Sequence, residues 1–431
     1  MVTALLVVGL FVAAFVGYNI GGSSTGVAFG PAVGSRIVGK VTAATLFTSF
    51  ALLGGWTVGR NVIDTMSSQI VPASQFTLAT SVGVLFFAGA SLLISNLYGV
   101  PASTSMTAVG AIVGLGLATG TLNEAIMFRI VSAWIVAPLL AFLIGMVIGR
   151  YLYPYLDARF TFTRLENSLV QLDRSGPLPR PTFNDRATPR DIVGSALVLV
   201  IACYMGFSAG ASNAANAVAP LVGNGSISVE QGILLAIGAI GLGGFTIARR
   251  TLATVGEGIT DLPILAALIV STVGATIITV LSQLGIPASL AVSTTCCIIG
   301  LGWGRASRAV TLAEAASVAV EPEAARPADD GGTELTTGAL GAGPAEGETP
   351  GGPTVGTLAG SETEQEAEAE QRAESIEQEG GEVAPIGEED LDELAAESLF
   401  DPAATSRIVF LWVLTPTLSA IGAYVLFELL L

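Results

Sequence analysis

Long apolar runs separated by short polar segments make up most of this chain, for example LLVVGLFVAAFVG near its start and AWIVAPLLAFLIGMVIG before residue 151. A run of roughly 20 apolar residues is long enough to cross a bilayer as a helix. By this criterion the pattern predicts ten spanning or broken segments, at 4–22, 38–57, 76–98, 101–119, 131–151, 192–218, 231–248, 263–284, 286–304 and 407–429. We therefore expect an all-α polytopic protein whose partner is the lipid bilayer.

Five predicted segments lie on each side of an Arg-rich loop, residues 152–191. The positive-inside rule places this loop in the cytoplasm and both termini outside. Since five crossings is an odd number, the two halves would be inverted relative to each other, which is a common plan of secondary transporters. The predicted parts are a first transmembrane repeat (1–151), the loop (152–191), a second transmembrane repeat (192–304), an insert (305–406) and the final helix of the second repeat (407–431).

The two halves also share residues. VPASTSMTAVGAIVGLGL (100–117) aligns without a gap with IPASLAVSTTCCIIGLGW (286–303), which pairs Pro101 with Pro287 and Ser103 with Ser289. Each half begins with an uncharged Gly-rich stretch, GYNIGGSSTGVAFGPAVGS (17–35) and GFSAGASNAANAVAPLVG (206–223). Each half thus supplies one polar stretch in its first segment and one Pro-led Ser/Thr cluster in its fourth.

These segments have the chemistry of an ion site. A helix opened by Pro and Gly presents free N–H groups and the positive end of its dipole, which favour anions, while Ser and Thr hydroxyls add neutral donors and Asn oxygens can ligate sodium. Close packing of small residues would explain one such stretch, but repetition in both halves favours a site. The expected oxyanion donors are Ser103, Thr104, Ser105, Ser289, Ser293, Thr294 and Thr295. The expected ligands of a cation or of the substrate are Asn19, Ser23, Ser24, Ser212, Asn213 and Asn216.

The formal net charge of −17 comes from one part of the chain, because residues 311–404 hold 24 of the 35 acidic residues. This insert is rich in Glu, Gly, Pro and Ser and poor in aromatic residues, which predicts a disordered, cytoplasmic segment. The remainder is mildly basic, and no nucleic-acid partner is expected. A single lysine beside 17 arginines indicates a salt-loving organism, in which the acidic insert would serve solvation in brine.

Several functional classes are disfavoured by residue types. Histidine is absent, and the three cysteines lack the spacing of a zinc site. No P-loop motif occurs, so any transport would be secondary or would need a partner. We expect neither an enzyme nor a cofactor, with sodium as the one metal ion to consider.

With these residues in view, the chain resembles the inorganic phosphate transporter (PiT) family, whose members are cation-coupled phosphate symporters and sulfate permeases. The family's two N-D-V-A-N-A-type signatures are similar to NIGGSSTGVAFGPAVGS and FSAGASNAANAVAPL, and its Pro-led clusters are similar to PASTSMTAVG and to either PASLAVSTTC or AVSTTCCIIG. The resemblance implies a multi-pass protein of the cell membrane that moves inorganic phosphate by sodium-coupled symport, in a divergent haloarchaeal member. It leaves open a permease for sulfate or another oxyanion, a non-transporting sensor-like member, and a homodimer.

The departures from the family pattern concern coupling. Ser24 and Asn213 stand where the family has aspartates, and the later signature Asn is Val27 in the first half but remains Asn216 in the second. The resemblance ties those aspartates to cation coupling. We therefore expect a high sodium requirement and fewer coupled ions than in relatives that keep them.

Overall fold

The computed structural model describes residues 2–35, 37–97, 103–159, 170–173, 180–183, 189–246, 264–320 and 402–430. The helices are α1 (Val2–Gly34), α2 (Lys40–Thr57), α3 (Gly59–Asp64), α4 (Leu78–Leu97), α5 (Thr104–Ala118), α6 (Glu124–Val147), α7 (Tyr153–Arg159), α8 (Pro189–Gly223), α9 (Val229–Thr246), α10 (Ile264–Gln283), α11 (Leu290–Val320) and α12 (Pro402–Leu430). Short π-helical turns follow α3 (Thr65–Gln69) and α6 (Ile148–Leu152), and a 3₁₀ turn covers Ala73–Gln75. The prediction of a helical membrane protein is confirmed.

One feature of the Arg-rich loop departs from the all-α prediction. Strands β1 (Val170–Asp173) and β2 (Arg180–Phe183) form an antiparallel pair in which Val170 lies opposite Phe183. Four-residue strands carry too little hydrophobic alternation to stand out in a charged loop.

Among the described residues, seven helices are long and apolar enough to cross a membrane. The number rises to eight if α2 and the segment from Gly59 to Gln69 count as one span, bent by 61° after Thr57. All ten predicted segments coincide with helices, but α5 has only 15 residues, so ten crossings stays a prediction. Helical structure also extends into both ends of the predicted 305–406 insert, through α11 as far as Val320 and from the start of α12; the rest of that insert lies outside the described residues.

The Gly-rich stretches do not open their helices, contrary to the expectation for them. Helices α1 and α8 run unbroken through 17–34 and 206–223. In α1 the polar side chains return to carbonyls of their own helix, as when Thr25 Oγ1 donates to the Gly21 oxygen at 2.8 Å and Ser23 Oγ to the Ile20 oxygen at 3.1 Å. A continuous helix pairs its main-chain groups internally where water is scarce, so small residues here do not require a break.

The helices of the two halves pack in an exchanged order. The first helix of each half lies against the second helix of the other, α1 on α9 and α8 on α2. A Cβ added at Gly21 would overlap the carbonyl of Ile240, and one at Gly210 would overlap the carbonyl of Ala51. These pairs therefore approach backbone to backbone, as small residues permit between membrane helices.

The fourth and fifth helices follow the same exchange. Helix α5 packs on α12, with Gly110 against the carbonyl of Pro416, and α11 packs on α6, with Gly300 against the carbonyl of Phe142. Each contact has a counterpart with the halves swapped. Two structural repeats related by a two-fold axis would produce this arrangement.

A polar layer lies inside the apolar core where α5 meets α8. Ser105, Ser212 and Asn216 are each no more than 1% exposed, although their neighbours in the core are Ala, Val and Ile. Large apolar side chains such as Phe11 and Phe128 are more than 70% exposed on the outside, as expected of lipid-facing positions. The buried polar layer thus marks the place to look for a site.

Candidate functional site

Two helices begin at equivalent positions of the halves, α5 at Thr104 and α11 at Leu290. These residues also pair in the gapless alignment of 100–117 with 286–303. The first N–H groups of a helix have no partner within it and carry the positive end of its dipole. Both helix starts approach the same residue of α8: Ser212 Oγ donates to the Ala288 oxygen at 2.6 Å, and the hydroxyls of Ser212 and Ser105 lie 3.2 Å apart.

A hydrogen-bond network joins these starts to the two Gly-rich stretches. Thr104 Oγ1 donates to Asn213 Oδ1 at 2.7 Å, and Asn213 Nδ2 donates to Ser24 Oγ at 3.3 Å. Asn216 Nδ2 lies 3.1 Å from both Asn213 Oδ1 and Ser105 Oγ. The polar residues of α1, α5 and α8 therefore act as one connected group.

A cavity of about 20 Å³ opens beside this network. Its lining residues are Ser23, Ser24, Val27, Thr104, Asn213, Ser289, Leu290 and Ala291. None of these described residues carries a charge. One water needs roughly 10–15 Å³ of such volume, so the cavity has room for a water-sized group.

The predicted site residues fall into three groups. Ser23, Ser24, Thr104, Asn213 and Ser289 line the cavity. Ser105, Ser212 and Asn216 stand behind it in the network. The third group does not line the cavity: it comprises Ser103, which is the buried N-terminal cap of α5, and Asn19, Ser293, Thr294 and Thr295.

The geometry shows why two of these lie elsewhere. Thr294 Oγ1 donates to the Leu290 oxygen of its own helix at 2.9 Å, and its methyl group faces Gly274 of α10. Asn19 lies one turn before the cavity and pairs with Asn96 of α4, whose Nδ2 is 3.1 Å from Asn19 Oδ1.

The sequence reasoning missed the apolar wall formed by Val27, Leu290 and Ala291. The gapless alignment contained the signal, because it places Leu290 opposite Thr104 and Ala291 opposite Ser105. The composition of the Ser-Thr-Thr cluster at 293–295 predicts a donor set, yet this cluster lies one turn beyond the part of α11 that lines the cavity. The two aligned helix starts therefore contribute differently to the cavity, Thr104 a hydroxyl and Leu290 an apolar side chain.

Two buried oxygens near this site lack a hydrogen-bond partner among the described residues, Ser103 Oγ and Asn216 Oδ1. A buried polar atom without a partner costs about 1–3 kcal/mol and calls for an explanation. The amide oxygen of Asn216 can only accept a hydrogen bond or ligate a cation. Its position behind Thr104 and Ser105 makes it the strongest described candidate for a sodium ligand.

The segment that leads into α11 is held by donors from the first half. Asn61 Nδ2 donates to the Gln283 oxygen at 2.9 Å, an Arg129 guanidinium nitrogen to the Leu284 oxygen at 2.6 Å, and Trp134 Nε1 to the Pro287 oxygen at 2.7 Å. Gly285 within this segment has a φ of 71°, which suits glycine. The start of α11, and with it Ser289, is thus fixed from α3 and α6.

Comparison with known proteins adds a family to this geometry. The family described as "Phosphate transporter family" matches residues 20–321. A sulfate permease CysP of Bacillus subtilis is 31% identical over 292 residues, which cover 68% of this chain and 75% of that protein. A putative phosphate permease of Haemophilus influenzae is 25% identical over 367 residues, with 69% and 87% covered.

A solved structure described as the sodium-dependent phosphate transporter superposes with a TM-score of 0.57. It is 20% identical, and the match covers 74% of this chain and 94% of that one. At this identity the likeness establishes a shared fold.

Proposed function

The chain belongs to the phosphate transporter family, and we propose that it moves inorganic phosphate across the cell membrane by symport with sodium. The observation that carries the proposal is the convergence of two helix starts, α5 and α11, on a small cavity whose polar lining consists of uncharged hydroxyl and amide groups. Helix N-termini favour anions without a fixed positive charge. A neutral site also releases its ion more readily than a charged one, which transport requires.

Sodium coupling is the second part of the proposal. Ser24 and Asn213 stand where the resemblance places aspartates, so the oxygens near the cavity are neutral. Asn216 Oδ1, which lacks a partner among the described residues, would be one ligand of a weak cation site, with the neutral oxygens of Ser23, Ser24, Ser212 and Asn213 as further candidates. Weak binding is sufficient where sodium is abundant, because occupancy follows concentration. In the first half Val27 replaces the residue that corresponds to Asn216, which supports fewer coupled ions.

Two alternatives have specific support. The 31% identity to a protein named as a sulfate permease favours sulfate as a second candidate substrate. The loss of both signature aspartates favours a sensor-like protein that does not transport.

Uptake of labelled phosphate and labelled sulfate into vesicles containing the purified protein, with and without a sodium gradient, separates these functions. We expect saturable phosphate uptake that requires sodium. Uptake that does not depend on sodium would refute the coupling. Uptake that excess sulfate blocks and excess phosphate does not would identify sulfate as the substrate. Absence of uptake of either anion would favour the sensor.

We also propose ten membrane segments in two inverted repeats, with both termini outside and the loop 152–191 in the cytoplasm. The exchanged packing of α1 with α9 and α2 with α8 supports the repeats, and the arginine distribution supports the orientation. A single cysteine introduced at residue 170 in a background without native cysteines should resist an impermeant reagent added outside intact cells. Efficient labelling there would reverse the orientation. Residue 340, which tests the insert, lies outside the described residues.

A further inference from the structure

Thr104 lines the cavity, and its hydroxyl proton is already donated within the protein. A hydroxyl has one proton and two lone pairs. The proton of Thr104 is donated to Asn213 Oδ1 at 2.7 Å, a short bond between side chains that are 8% and 5% exposed. A ligand beside Thr104 therefore meets an acceptor.

The neighbouring amide of Asn216 reinforces this direction of the proton. Its Nδ2 lies 3.4 Å from Thr104 Oγ1 and can only donate, but its two protons have closer acceptors in Asn213 Oδ1 and Ser105 Oγ, both at 3.1 Å. If the Thr104 proton turned toward the cavity, Asn213 Oδ1 would keep only the longer, 3.1 Å bond from Asn216. The orientation with the proton on Asn213 keeps the shorter, 2.7 Å bond.

The other hydroxyls of the cavity divide in the same way. Ser23 donates to the Ile20 oxygen at 3.1 Å and offers lone pairs. Ser24 accepts from Asn213 Nδ2, and Ser289 accepts from the Val292 N–H at 3.4 Å, so both can turn a proton toward the cavity. The lining thus combines acceptors, Ser23 and Thr104, with donors, Ser24 and Ser289.

We propose that Thr104 selects a tetrahedral oxyanion that still carries a proton, an inference that rests on the transport function proposed above. Hydrogen phosphate and hydrogen arsenate can donate their remaining proton to Thr104 Oγ1 while their other oxygens accept from Ser24 and Ser289. Sulfate and selenate have no proton at neutral pH, so one of their oxygens would meet the Thr104 lone pair with nothing between them. Charge and size are similar in the two pairs, and the proton alone distinguishes them.

The test is competition by arsenate and by selenate against the sodium-driven uptake of labelled phosphate in vesicles. In the wild type, arsenate should compete about tenfold to 150-fold better than selenate, the range for one hydrogen bond to a charged partner. Thr104→Val keeps the shape and removes the acceptor, so the preference should fall toward unity, mainly through weaker arsenate competition. Thr104→Ser keeps the hydroxyl and should keep the preference. Ser24→Ala removes a donor and should weaken both probes alike.

The outcomes separate this inference from the proposed function. Equal competition by the two probes in the wild type would overturn the role of Thr104 without any variant. So would a loss of affinity in Thr104→Val that is the same for both probes. If the wild type takes up none of the four oxyanions, the transport function itself fails, and this inference fails with it. If Thr104→Val does not fold, Thr104→Ala removes the same acceptor and must show the same collapse.

Discussion

Replacing Ser289 with alanine tests whether the start of α11 contributes to the anion site. Ser289 lines the cavity, and its hydroxyl accepts one backbone N–H, from Val292 at 3.4 Å. Its proton is therefore free for a ligand. Thr294, one turn later, carries the same group but directs it to the Leu290 oxygen and faces α10. Thr294→Val is the matched control.

The expected magnitude follows from these contacts. Loss of one hydrogen bond to a charged ligand costs about 1.5–3 kcal/mol, which corresponds to roughly tenfold to 150-fold weaker binding. Ser289→Ala also removes the bond that the Ser289 hydroxyl accepts from the Val292 N–H, which resembles a helix cap. The loss of that bond costs about 0.5–2 kcal/mol of stability, and this part of the effect is separate from anion binding. Thr294→Val loses only a hydroxyl contact within its own helix, so anion affinity should stay within about twofold of the wild type.

The assay is the concentration of phosphate that half-saturates sodium-driven uptake, measured beside thermal unfolding of each variant in detergent. Ser289→Ala should raise that concentration by at least about tenfold at a fold stability that still permits uptake. A large effect of Thr294→Val with none of Ser289→Ala would refute the geometry of the site. It would also favour the Ser-Thr-Thr cluster at 293–295 as the true donor set.

Three further predictions concern coupling, packing and positioning. Ser24→Asp and Asn213→Asp should lower the sodium concentration for half-maximal uptake, because a carboxylate holds a cation more tightly than a neutral oxygen; an unchanged sodium dependence would remove both from the cation site. Gly210→Ala should lower the unfolding temperature, because the added Cβ overlaps the α2 backbone at a cost of about 1–3 kcal/mol or more. Gly238→Ala, with nothing within 4 Å of the added Cβ, should not lower it. Equal effects of the two variants would contradict the close approach of α8 to α2. Trp134→Phe loses the 2.7 Å bond to the segment before α11 and should weaken phosphate binding about twofold to twelvefold in a competition assay; wild-type affinity would show that this bond does not position the site.

The sequence predicted where helices lie far better than how they meet. Each of the ten predicted apolar segments coincides with a helix, and the gapless alignment pairs Thr104 with Leu290, where two of these helices begin. The sequence did not predict the exchanged packing. That packing depends on which glycines face a neighbouring backbone, and glycines such as Gly210 and Gly238 look alike in the sequence. The sequence allowed two explanations of the Gly-rich stretches, close helix packing and an ion site. Helix α8 does both, because Gly210 packs against α2 and Asn213 lines the cavity.

The site was predicted in part for a related reason. Composition identified the right residue types, so Ser23, Ser24, Thr104, Asn213 and Ser289 were named in advance and line the cavity. Composition does not indicate which side of a helix a hydroxyl occupies. Thr294 was therefore included although its helix turns it away, and Leu290 was passed over because it is apolar.

The exchanged packing also has a consequence for how the protein is made. Helix α5 finds its partner in α12, and the contact between Thr107 and Thr415 joins residues 308 positions apart. At roughly 5–20 residues per second of synthesis, α5 waits about 15–60 s in the membrane before that partner emerges. Throughout this time the glycine face of α5 is open to lipid or to the wrong helix. A ribosome stalled within the long acidic segment would leave a chain with one polar-lined helix start uncovered, which is a natural substrate for membrane quality control.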